Sequence, residues 1–84
     1  MTVVKVVDPD VADKVDTQYI EAQLAEVHNV GIVYICTSEG GEEDDWTDDS
    51  GVHYIVIQLP YQEVRAATDI RPMMLEQAKA RLGR

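Results

Sequence analysis

Gly31-Ile32-Val33-Tyr34-Ile35-Cys36 and Val52-His53-Tyr54-Ile55-Val56-Ile57-Gln58-Leu59 decide the fold of this chain. Both are β-branched and aromatic runs of strand length, bounded by turn residues. Between them lies an acidic stretch, residues 38–51, with seven carboxylates, no base and the single tryptophan, Trp46. The simplest reading is a central hairpin with this acidic loop inserted in it.

Working outward, Thr2 to Val7 is a further β-branched run and predicts a first strand. Asp8-Pro9 offers an N-cap followed by proline at the first helical position. Ile20, Leu24 and Val27 keep i, i+4, i+7 spacing and predict a helix over 17–28. Val11 and Val15 are offset from that stripe, and Asp16-Thr17 is a second N-cap, which allows a separate helical piece before it. Asn29 or Gly31 can take the left-handed conformation that closes the helix. Beyond Pro60, Tyr61, Val64 and Ala67 mark a short helical piece. Thr68-Asp69 then caps a last helix with Pro72 in its first turn; Met74, Leu75, Ala78 and Leu82 form its stripe, and Gly83 ends it.

The expected fold is a small single α+β domain over residues 1–84, in the order β-α-β-β-α. A three-stranded mixed sheet is packed by two helices, the second with a break near Pro72. Strand alternation then assigns faces. Val4, Val6, Val33, Ile35, Ile55, Ile57 and Leu59 are expected under the helices. Val3, Lys5, Val7, Tyr34, Cys36, Tyr54 and Val56 fall opposite, on a face too apolar to meet water unaided. A one-residue slip in pairing exchanges these faces.

A chain of 84 residues supports a small core, and its 45% apolar content is that of a globular domain. The sequence has no apolar run of about 18 residues and no basic-then-apolar leader pattern at Met1–Asp8, so the expected location is cytoplasmic, or a virion for a viral protein. One cysteine makes no internal disulfide and no structural zinc site alone. The net charge is −9, and it is unevenly placed. Residues 1–51 carry thirteen acids against Lys5 and Lys14, giving −11, whereas residues 52–84 carry three acids against five cations, giving +2. Such an anion lacks the clustered Lys and Arg that neutralise phosphates, so direct nucleic-acid binding is not expected. Opposite charges at the two ends instead suit contact with a second copy or a basic protein surface.

No catalytic or metal constellation stands out. An EF-hand register with Gly51 at position 6 puts Trp46 at position 1 and Ile57 at position 12, so the calcium pattern fails at both ends. Gly40-Gly41 is a lone pair without a phosphate-loop frame. Cys36 and His53 meet as a thiolate–imidazole pair only under one parity of strand pairing, and mid-strand cysteine is more often a small buried hydrophobe.

Gly31-Ile32-Val33-Tyr34 and Tyr54-Ile55-Val56, with Arg65 and Glu76 on later helices, faintly resemble the GIY-YIG nuclease pattern. That resemblance implies a helical Arg and a metal-binding Glu serving the chemistry. It covers under a third of the chain; the second motif lacks its Gly, the strand order differs, and the acidic surface repels a DNA backbone.

The residues do not name a function. They suit a non-catalytic protein–protein interaction subunit, self-associating, of structural, assembly or accessory type, such as viruses and mobile elements encode. The expected contact residues are Trp46, Asp44, Asp45, Asp48, Asp49, Tyr34, Tyr54, Arg71 and Arg81, with no cofactor and no metal. Trp46 either staples the loop to the body or anchors an interface. The alternative is an acidic mimic of DNA that blocks a nucleic-acid-binding enzyme; a small enzyme using Cys36 and His53 is the remote one.

Overall fold

A computed structural model describes residues 2–37 and 44–83. Four strands form one mixed sheet: β1 (Thr2–Val6), β2 (Val30–Thr37), β3 (Trp46–Thr47) and β4 (His53–Pro60), in the spatial order β1-β2-β4-β3. Four short helices accompany them: α1 (Pro9–Ala12), α2 (Thr17–Gln23), α3 (Tyr61–Ala66) and α4 (Arg71–Arg81).

The two decisive runs are strands, but they do not form a hairpin. β2 lies parallel to β1 on one side and to β4 on the other. The hairpin is instead made by β3 and β4, antiparallel through Trp46 opposite Tyr54 and Thr47 opposite His53. This corrects both the strand count and the order expected from the sequence. A continuous apolar run pairs equally well in either direction when it is buried on both faces, so composition left direction open. Residues 38–52 separate β2 from β4, a connection long enough for a parallel crossover. Of the acidic loop, residues 38–43, with Glu39, Glu42 and Glu43, lie outside the described residues.

The turn of the true hairpin is written at its end. The Asp48 carboxylate accepts from the backbone N–H groups of Ser50 (2.9 Å) and Val52 (3.0 Å), and Gly51 takes φ +85°. Only glycine holds such a backbone without strain, and an aspartate at the first turn position is the common partner.

The helices start where their caps direct. Asp8 accepts from Asp10 N–H at 2.8 Å with Pro9 in the first turn, and Asp16 accepts from Tyr19 N–H at 3.0 Å. Asp69 reaches Arg71 N–H at the head of α4. α2 ends at Gln23, a turn earlier than its apolar spacing suggests, and Asn29 takes the left-handed φ of 56° before β2. The Thr2 hydroxyl sits 2.8 Å from the carbonyls of both Leu24 and Val27 and gives its single proton to one of them, satisfying a group that a longer helix would have used internally.

All four helices pack on one face of the sheet. The rows Val4–Ile32–Ile55 and Val6–Tyr34–Ile57, with Cys36–Leu59, point toward them. Val11, Ile20, Val64, Ile70, Met74 and Ala78 cover these rows from above and are fully buried. β2 therefore presents Ile32, Tyr34 and Cys36 to the helices, not Val33 and Ile35 as expected. The parallel register matches Ile32 with Ile55, and that one-residue shift exchanges the faces of β2.

Candidate interaction surface

The opposite face of the sheet carries no described helix. Its first row is Val3, Gly31, Tyr54 and Trp46, one residue from each strand; its second is Lys5, Val33 and Val56. Such a face is expected to stand open, yet Tyr54 is 4% exposed, Val33 2% and Val56 8%.

Gly31 explains part of this closure. A Cβ at Gly31 would overlap the Tyr54 ring, so the missing side chain is the berth in which the ring lies flat across β2. Trp46 then stacks on that ring, with centroids 5.0 Å apart and planes inclined by 19°. The Lys5 ammonium sits 4.9 Å from the same ring centroid, within cation–π range. Trp46 itself stays 42% exposed. It thus staples β3 to the sheet with one side and faces solvent with the other.

The expected contact residues divide sharply on this surface. Tyr34 does not belong to it: it is fully buried under the helices, and its hydroxyl donates to the Met74 carbonyl at 2.9 Å. Burial there pushes its phenol well above the usual range. Asp48 is engaged by its own turn, and the Val52 N–H, then that of Ser50, the Tyr54 hydroxyl and the Lys5 charge hold its carboxyl below the usual range. Asp44 and Asp49 are exposed.

Two of the cations expected to seek a partner find one inside the chain. Arg81 donates to both oxygens of Asp45, at 2.8 and 2.7 Å. The same carboxylate accepts from Val56 N–H at 3.0 Å and lies 3.8 Å from His53 Nε2. The backbone bond first, and then Arg81 and His53, depress the Asp45 carboxyl. Arg71 grips Asp69 through Nε and Nη2 and lies over the Tyr19 ring at 5.4 Å. The Asp45–Arg81 pair therefore joins the acidic and basic halves of the chain within one molecule, while Asp69–Arg71 closes inside the basic half.

Cys36 and His53 are not a pair. In the parallel register Cys36 lies beside Leu59 and His53 beside Val30, six rows apart, about 20 Å along the strands. Cys36 is buried among the core residues, where burial first, and then Asp8 and Asp10, raise its thiol pKa. The two tyrosines of the nuclease-like pattern also part company, Tyr34 on the helix side and Tyr54 on the other. Among the described residues, no three His, Cys, Asp or Glu side chains gather where they could hold a metal ion. No helix among them is long and apolar enough to cross a membrane.

Three positions escaped the sequence reading. Gly31 had a signal, since a lone glycine inside a strand run often marks close approach of another group. Glu21 accepts from the edge N–H of Val4 at 3.3 Å, so it and Asp45 cap backbone donors on the two outer strands of the parallel core. Lys14 donates to the carbonyls of Val64, Arg65 and Ala67, clasping the end of α3 from 50 or more residues away. Nothing local to Lys14 or Glu21 signals either role.

Comparison of the chain with protein families, with curated proteins and with solved structures gave no match.

Proposed function

We propose that the protein is a non-catalytic interaction subunit of assembly or accessory type, working through the side of its sheet that carries no described helix. The observation that carries this reading is Trp46, 42% exposed on a surface whose other aromatic, Tyr54, is buried beneath it. A rigid, half-presented indole on an ordered platform is the kind of residue that anchors interfaces. Glu21, bonded to an N–H of the edge strand β1, and Asp45, bonded to an N–H of β4 beyond the end of β3, favour a contact by the face over strand addition at those two places.

Self-association is tested by sedimentation of wild type and Trp46→Ala at tens of micromolar. A mass above 9.4 kDa that the variant returns to the monomer supports it. A clean monomer removes a second copy from the reading and leaves a different protein as partner. That second form is favoured by one observation: Asp45–Arg81 and Asp69–Arg71 are closed within the chain, which takes two of the expected cations away from intermolecular use. Mimicry of DNA gains less support, because Asp45 and Asp48 are already engaged by backbone N–H groups.

A further inference from the structure

Granted that the side without a described helix is an interaction surface, its exposed ring and its charge narrow the chemistry of the partner. Two quantities decide between a second copy and another protein. An indole 42% exposed presents about 100 Å². A stable protein–protein interface takes about 800 Å² from each side. On the rest of the face Tyr54, Val33 and Val56 are buried, Val3 is half-buried and Lys5 and Val7 are exposed. The indole is the one exposed aromatic among the described residues of this face; it receives one or two side chains of a segment and does not by itself supply the area of a dimer.

Charge selects the segment. The chain carries −9, so two copies repel, whereas a cationic partner is drawn in. Exposed Asp44 and Asp49 stand two residues before Trp46 and three after it. The aromatic pair already holds one cation of its own chain, the Lys5 ammonium beside Tyr54. The outer side of the indole repeats that chemistry toward solvent.

We propose that Trp46 is the docking point for a basic segment of a partner protein, one arginine or lysine side chain lying on the indole and countered by Asp44 and Asp49. Trp46 is the only tryptophan, so its emission reports the site directly. The intact chain is titrated with a synthetic peptide of alternating arginine and glycine, and with a matched peptide carrying glutamate for arginine. The expected result is a saturable change in Trp46 emission with the arginine peptide alone, weakening as salt is raised.

Asp44→Asn with Asp49→Asn is expected to weaken binding about three- to tenfold. Glu63→Gln with Glu76→Gln removes the same charge elsewhere and is expected to change it by less than about twofold. Trp46→Ala, followed by calorimetry, is expected to weaken it about two- to fivefold. Thermal melting checks each variant, and the two asparagine changes lie on exposed side chains, so they carry the test even where Trp46→Ala loosens the fold.

Equal weakening by both acid pairs would reduce the binding to diffuse charge attraction and overturn the proposal. So would the absence of any saturable change up to millimolar peptide. Sedimentation without peptide separates the two levels: where no peptide binds, assembly abolished by Trp46→Ala keeps the interaction reading and removes this partner, and a monomer removes this partner and the second copy alike.

Discussion

The two sides of this sheet solve one problem by different means. On one side, four helices lay Val11, Ile20, Val64, Ile70, Met74 and Ala78 over three rows of strand residues. On the other, a single tyrosine lies in the gap left by a glycine, and a tryptophan lies on the tyrosine. The first solution buries large side chains completely and spreads the work over many of them. Among the described residues, the first row of the second side is covered by two rings, the outer one half in water.

The largest expected effect lies on the helical side. Met74→Ala empties a fully buried position and is expected to cost about 3 kcal/mol, read from chemical denaturation. The contrast breaks down if Trp46→Ala costs as much. Gly31→Ala comes next, at about 2 kcal/mol, because the added methyl must displace the Tyr54 ring. In a Tyr54→Leu background most of that cost should vanish; an additive double mutant would show that the berth is not what Gly31 supplies.

Smaller again is Lys14→Met, which keeps the stem and removes three carbonyl contacts at the end of α3. A loss of about 1–2 kcal/mol in thermal or denaturant unfolding is expected. Last is acid sensitivity. Asp45 and Asp69 are held below their usual range by bound N–H groups and arginines, so they stabilise the fold above the unfolded carboxyl pKa of about 3.9. That contribution is lost as pH falls through their folded values, where the unfolded chain binds more protons. Asp45→Asn should lie below wild type in stability at pH 6 and converge toward it in strong acid. A gap that stays constant across that range contradicts the assignment.

Much of the local structure was legible. Asp8, Asp16 and Pro72 announce helix starts, Asn29 a left-handed residue, and the β-branched runs a sheet, because each acts through its own backbone neighbours; the end of α2 at Gln23, before Asn29, was not legible. The global arrangement was not. Strand direction depends on where residues 38–52 go, and seven carboxylates with a tryptophan read as a solvated loop whichever way they run. Yet Asp48-Asp49-Ser50-Gly51 is turn chemistry placed directly between Trp46-Thr47 and His53-Tyr54, and it marks the hairpin that does exist. The surface was half legible for the same reason. Tyr54 belongs to it through alternation from a correctly found strand. Trp46 reads as a loop residue, and its short strand escapes that reading; Tyr34 was assigned to the surface through a register fixed only by the third dimension. Arg81 and Asp45, 36 residues apart, meet through tertiary packing that no periodicity encodes.

Glu21 and Asp45 each hold a main-chain amide on an outer strand of the parallel core. Any neighbour seeking to extend the sheet sideways would have to evict an anion before it could make its first bond at either place. Lateral growth is therefore resisted at these two places by an anion, one at the edge strand β1 and one at β4 where the short β3 no longer covers it.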